Sequence, residues 1–197
     1  MPELTLQDVC VAHVGPINLQ LKAGEIVCLS GASGSGKSLL LRAVADIIPH
    51  TGMTTLDAAA ADSMPAPRWR QQVGLLPAEN QWWLDDIGEH FPRQDTALLM
   101  GLGFSEASWQ WQVARCSTGE KQRLALLRLL CNQPRCLLLD EPTASLDPEN
   151  IARVEAVLRD YIAQHQAPVL WVSHAPDQIQ RVATRHYRLQ DGKLVPA

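Results

Sequence analysis

Apolar residues come along this chain in short continuous runs, with stretches of helical spacing between them. Leu4 to Cys10 and Ile17 to Leu21 alternate or run apolar, which predicts strands, followed by a turn at Lys22-Ala23-Gly24. Glu25 to Ser30, Val73 to Leu76, Cys136 to Leu139 and Val169 to Val172 are short apolar runs, the pattern of strands covered on both faces. A helix is expected over Lys37 to Ile48, with Leu40, Val44, Ile47 and Ile48 apolar and Pro49 as its stop. A second runs from Gly119 to Leu130. A third, Pro148 to His165, carries Ile151, Val154, Leu158 and Ile162 on one face. Pro148 suits a first helical position, and Asp147 is placed to cap it. Thr51 to Ala66 shows no period and many small residues, so an irregular surface excursion is expected there. The closing RLQDGKLV predicts a hairpin turning at Asp191-Gly192. Buried strands alternating with helices define an α/β protein with a largely parallel sheet.

Residues 77–115 break this rhythm. Pro77 to Arg115 holds Trp82, Trp83, Trp109 and Trp111 and two short helical patterns, which predicts an inserted α-helical subdomain within one domain spanning residues 1–197. Composition narrows the classes. A net charge of -4 and a pI near 5.8 argue against nucleic acid as a partner, which favours a basic face. The longest apolar stretch, Ala97 to Phe104, falls well short of the ~18 residues of a membrane span. The first residues, MPELTLQDV, lack the basic and apolar regions of a signal peptide, so a cytoplasmic protein is expected. Cys10, Cys28, Cys116, Cys131 and Cys136 form no CxxC pair and no His cluster joins them, which reads as reduced thiols and not a metal site.

Two motifs carry chemistry. Residues 31–38 read GASGSGKS, matching G-x-x-x-x-G-K-[ST] between a predicted strand and a predicted helix. Backbone N–H groups of Gly31, Ala32, Ser33, Gly34, Ser35, Gly36, Lys37, Ser38 and, on the helix, Leu39 would cradle phosphate oxygens, helped by the positive end of the helix dipole. Lys37 would reach the β- and γ-phosphates of ATP, and the Ser38 hydroxyl would ligate Mg2+. Residues 136–141, CLLLDE, bring two carboxylates to the C-terminal end of a buried strand, where α/β sheets bind ligands. Asp140 would complete the Mg2+ shell opposite Ser38, and Glu141 would act as general base on water.

The pattern then becomes specific. LLLDEPTASLD, residues 137–147, resembles the second nucleotide motif and following loop of ABC ATPases, the ATP-binding subunits of ABC transporters. Cys116-Ser117-Thr118-Gly119-Glu120 with KQRLALLRLL resembles their signature and its helix, and Asp85 to His90 resembles the opening of their helical subdomain. His174, just past a predicted strand, resembles their switch histidine. The resemblance implies a P-loop NTPase core with a mostly parallel sheet, an N-terminal antiparallel β part and a small inserted α-helical subdomain. It implies a head-to-tail homodimer holding two ATP molecules. In that dimer Ser117 and Gly119 of one copy would meet the γ-phosphate held by the other copy, and Asp147 would reach across. His174 would contact the γ-phosphate and hold the water near Glu141, and His13 would stack on adenine. It further implies integral-membrane permease subunits as partners, and a place at the cytoplasmic face of the cell membrane. STGEKQR and VLWVSH look like segments of small bacterial export-type subunits.

Three positions depart from the family pattern. Ala78 stands where a glutamine usually follows the strand, so Glu79 or Gln81 would have to replace it. His13 offers less stacking area than Tyr or Phe. Thr118 replaces a glycine, and a β-branched residue resists φ > 0. Trp82 and Trp83 are candidates either for packing the subdomain or for lining a groove against a permease helix. Two further classes stay open: a soluble ABC ATPase acting away from membranes, and a nucleotide-gated binding module with little hydrolysis. A P-loop kinase leaves the signature helix and the 137–147 motif without a purpose.

Overall fold

The computed structural model describes residues 1–197. In chain order its elements are β1 (Leu4–Val11), β2 (Val14–Leu21), β3 (Ile26–Ser30), α1 (Lys37–Val44), β4 (Thr51–Leu56), β5 (Ala59–Ala60), α2 (Ala66–Gln72), β6 (Val73–Leu76), α3 (Thr96–Gly101), α4 (Thr118–Cys131), β7 (Cys136–Asp140), α5 (Pro148–His165), β8 (Val169–Val172), α6 (Pro176–Val182), β9 (Arg185–Gln190) and β10 (Lys193–Pro196). A six-stranded sheet runs in the order β10-β9-β3-β8-β7-β6, all parallel except for the β9–β10 hairpin. A second, antiparallel sheet has the order β2-β1-β4-β5.

The unbroken apolar runs have a physical cause in this arrangement. Along β7, Cys136 and Leu138 face one core while Leu137 and Leu139 face another; along β8, Leu170 and Val172 face the first, Val169 and Trp171 the second. The first core lies between the parallel sheet, α1 and the antiparallel sheet. The second joins the opposite sheet face to α4, α5 and residues 77–115. A strand walled on both faces has no position for a polar side chain until it ends.

Four local expectations change. Helix α1 stops at Val44, short of Pro49: Asp46 turns left-handed (φ 54°) and Ile47 is 49% exposed. Its open carbonyls are taken by α2, where Trp69 Nε1 donates to Val44 O (2.9 Å) and Arg70 to Asp46 O (2.6 Å). Residues 51–66 are not irregular, because β4 pairs with β1 (Thr5 opposite Thr55, Leu6 opposite Thr54) and then with β5. The turn between β4 and β5 is Asp57-Ala58, both at positive φ (52° and 65°), a hairpin shape that favours Asn-Gly and that alanine does not announce. Helix α6 was not expected, although Pro176 opens it. Within residues 77–115 the two helical patterns become the short helix α3 and three 3-10 turns at Ile87–His90, Glu106–Gln110 and Val113–Arg115. The segment is closed by Ile87 N donating to Trp111 O and Val113 N to Asp85 O (2.8 Å each). Ile87, Phe91, Leu99, Leu102 and Phe104 join it to the core of α4 and α5.

Trp69 is wholly buried and couples α2 to α1. Trp69→Ala is expected to cost about 3–5 kcal/mol, read as a lower urea midpoint at unchanged slope.

Candidate functional site

Strand β3 ends at Ser30, and the loop to α1 needs glycine at its tightest points. Gly31 has φ 147°, and a Cβ there would sit 2.6 Å from Leu189 O; at Gly36 (φ 102°) it would run into Val14 Cγ2. Inside the loop, the buried Lys37 ammonium donates to Gly31 O (3.0 Å) and Ala32 O (2.9 Å), with Ser35 Oγ 3.4 Å away. Burial pushes Lys37 below its ordinary pKa, against the opposing pull of the Glu141 and Asp140 charges.

The carboxylates arrive from β7. Asp140 is its last residue, 4% exposed and in no ion pair. Glu141 follows in a left-handed conformation (φ 50°), which a non-glycine residue adopts at a cost of about 1–3 kcal/mol. That turn swings its side chain to the loop leaving β8, where Glu141 Oε1 lies 3.0 Å from His174 Nε2. A pocket of about 210 Å3 is lined by Ser33, Gly34, Gly36, Lys37, Ser38, Leu39, Glu141 and His174. A larger cavity of about 1190 Å3 shares Ser33, Gly34 and His174 and extends past His13 toward Arg188. The smaller one brings the Lys37 ammonium, the Ser38 hydroxyl, the Glu141 carboxylate and the His174 imidazole together.

The remaining sequence candidates fall elsewhere. His13 packs beside the loop, its Nε2 3.2 Å from where a Gly36 Cβ would lie. Ser117 caps α4, accepting from Glu120 N (3.2 Å), while the Glu120 carboxylate accepts from Ser117 N (2.8 Å). The acid at position 120 thereby closes a capping box. Thr118 is the first residue of α4 and keeps a negative φ, so the strain expected of it does not arise. Gly119 lies against Ser145 O and Leu146. Asp147 caps α5, accepting from Asn150 N (3.0 Å) and Asn150 Nδ2 (2.6 Å), bonds that hold its carboxyl below the usual range. Ser117, Gly119 and Asp147 line neither of these two cavities. Ala78 and Glu79 are exposed, and neither joins the phosphate-loop pocket. Next along, Asn80 Nδ2 donates to Gln122 Oε1 (2.6 Å), and Gln122 Nε2 lies 3.5 Å from Glu141 O.

A buried network that the sequence reading missed supports the two reactive loops. Gln178 on α6, 4% exposed, accepts from Ser173 Oγ (2.9 Å) and donates to Thr143 Oγ1 (2.9 Å) and Glu155 Oε1 (2.9 Å). Ser173 precedes His174 and Thr143 follows Glu141 by two, so one amide ties both loops to α5. Arg181 closes the set on Glu155 (2.9 Å). Pro176 as a helix start, with Ile179 and Val182 apolar behind it, was the available signal.

The geometry defines a nucleotide-binding α/β domain of the phosphate-loop type. Comparison with known proteins makes the class definite. The ABC transporter family model matches residues 14–144. The chain is 33% identical over 176 residues to the "Probable iron export ATP-binding protein FetA" of Escherichia coli (strain K12), covering 83% of this chain and 78% of that one. It is 38% identical over 191 residues to the "Aliphatic sulfonates import ATP-binding protein SsuB 2" of Nocardia farcinica (strain IFM 10152), covering 90% and 74%. In fold it matches a bacterial Atm1-family ABC exporter solved with ATP bound, with a TM-score of 0.86 at 22% identity, over 98% of this chain and 38% of that one. The chain belongs to the ABC transporter ATP-binding family. ATP binding and ATPase activity go generally with that family. No helix is long and apolar enough to cross a membrane.

Burial alone would raise the Glu155 carboxyl, but the hydrogen bonds from Arg181 and Gln178 and the Arg181 charge hold it below the ordinary range. A carboxyl depressed on folding stabilises the fold above its unfolded pKa and loses that contribution as pH falls through the folded value. Glu155→Gln is therefore expected to lower the denaturant midpoint at neutral pH. The gap to wild type should close on acidification below the usual glutamate range.

Proposed function

We propose that this chain is the ATP-hydrolysing subunit of a membrane transporter, working as a head-to-tail pair of copies on integral-membrane permease subunits at the cytoplasmic face of the membrane. One observation carries the reading. Lys37, Ser38, Glu141 and His174 meet in one pocket, while Ser117 and Gly119 stand at a helix start outside it. A second copy is the simplest source for the missing half of the site.

The chain's own donors suit Mg-ATP. Loop amides and Lys37 would face the β- and γ-phosphates once the ammonium leaves Gly31 O and Ala32 O, and His13, beside the loop, would take the base. Ser38 and Asp140 offer one hydroxyl and one carboxylate, the partial shell typical of a Mg2+ that also binds phosphates. No cluster of three or more acidic, His or Cys ligands exists that would suit a metal held by protein alone. Bound Mg2+ supplies charge neutralisation at the phosphates.

In the proposed reaction Glu141 takes a proton from water as its oxygen bonds to the γ-phosphorus. The bond from that phosphorus to the β–γ bridging oxygen breaks, leaving ADP and phosphate. His174, whose Nε2 lies 3.0 Å from Glu141 Oε1 in the empty chain, would turn that donor to the γ-phosphate. Ser117 and the Gly119 N–H of the other copy would add donors from the N-terminus of α4, and Asp147 would reach across the pair. ATP thus bridges two copies, and its cleavage releases them. Residues 77–115, proposed as the inserted subdomain, would offer the exposed Trp83 to the permease, while Trp82 packs partly against the core.

The test is the steady-state ATPase rate with Mg2+ across a range of protein concentrations. Specific activity is expected to rise with concentration, and Glu141→Gln to fall by about 10²–10⁴. A concentration-independent rate would remove the paired site; an active Glu141→Gln would remove Glu141 as base.

A further inference from the structure

Arg128 lies on α4 with its guanidinium over two indoles, 4.5 Å from the Trp82 ring centre and 4.8 Å from that of Trp83. Its Nη2 donates to Gln81 O (3.1 Å), but Nη1 is shut away from water with no partner, and so is Trp82 Nε1. No carboxylate lies within ion-pair distance of this guanidinium. Burial pushes its pKa below the ordinary arginine value. Unpaired buried donors are expensive, and a half-buried guanidinium without a counter-charge adds to that cost.

The stack is held in place from beneath. Buried His90 contacts both indoles edge-on, at 4.8 and 4.9 Å. Its Nε2 accepts from the N–H groups of Trp83 and Leu84 (3.1 Å each), which assigns the ring proton to Nδ1, 3.0 Å from Asp86 O. Trp83 nevertheless stays 67% exposed and Leu84 40% exposed, an apolar rim around a fixed charge. Asp85, Asp86 and Glu89 are exposed nearby in the chain, yet none turns onto Arg128.

We propose that Trp82, Trp83 and Arg128 form a docking platform for a single carboxylate side chain on the membrane partner's cytoplasmic segment. The carboxylate accepts from Arg128 Nη1 and Trp82 Nε1, and Trp83 turns aside to admit it and then packs on the segment. Both unpaired donors are satisfied at once, and the half-buried cation gains its counter-ion. The acidic residues around the platform repel a generally acidic segment, so the occupant carries one acid in a neutral or basic surround. This rests on the transporter reading above and adds the chemistry that selects the partner.

The probe is a short, amide-capped, Trp-free helical peptide of Ala, Leu and Lys with one central Glu, compared with its Gln counterpart. Binding to the full chain is followed by indole emission. The Glu peptide is expected to bind about tenfold more tightly, the scale of a charge-assisted hydrogen bond. Trp83→Phe should reduce the emission change, leaving the part carried by Trp82, and Arg128→Met should bind both peptides alike. Equal binding of the two peptides by wild type overturns the proposal. So does a Glu preference that survives in a folded Arg128→Met chain. ATP hydrolysis by the same wild-type preparation separates the two readings. An active ATPase without Glu preference sinks the platform and leaves the transporter function. A Glu preference in a chain silent at every concentration supports the platform and sinks the ATPase.

Discussion

Parallel pairing of β3, β8 and β7 puts three chain segments at one level. Leu29 lies beside Val172 and Val172 beside Asp140, and the backbone carries the pairing past the strand ends through Ser173 N to Leu29 O and Glu141 N to Val172 O (3.1 Å each). The phosphate loop leaves β3 there, Glu141 leaves β7, and His174 leaves β8. A slip of one residue in any of these strands would turn every side chain to the opposite core and carry a carboxylate or imidazole out of reach. The two cores make that slip costly, so the site's geometry is inherited from packing on both faces of the sheet.

Within one chain the reactive groups are already engaged locally. His174 rests on Glu141, Lys37 rests on its own loop carbonyls, and Ser117 is spent on capping α4. Each of these groups has a local partner that a nucleotide or a second copy would replace. In the proposed cycle binding is thus an exchange of partners, which keeps the empty chain stable without freezing it. The Gln178 amide matters in this setting because it links the two loops that must move together, through Thr143 on one side and Ser173 on the other.

Much of this was legible in the amino-acid order. The runs at 136–139 and 169–172 and the helix from Pro148 to His165 declared themselves because burial on both faces, or on one stripe, leaves a strong periodic trace. The phosphate loop declared itself because glycine spacing is demanded by backbone shape. What escaped was held by distant partners. Strand β4 exists because β1 pairs with it, and its turn uses alanine at positive φ. Helix α1 ends early at the left-handed Asp46, and Trp69 and Arg70, distant in sequence, take the Val44 and Asp46 carbonyls there. The Gln178 network joins residues 143, 155, 173 and 178, whose common neighbourhood no local window reveals.

The alternation of β7 and β8 between two cores has one more effect. Neighbouring residues such as Leu138 and Leu139 belong to separate packing neighbourhoods, divided by the backbone wall of the sheet. Substitutions on the side of residues 77–115 can accumulate and compensate among themselves without meeting those on the side of the antiparallel sheet. The chain can thus vary on one flank while the flank that shapes the phosphate loop stays as it is, a firewall one strand thick.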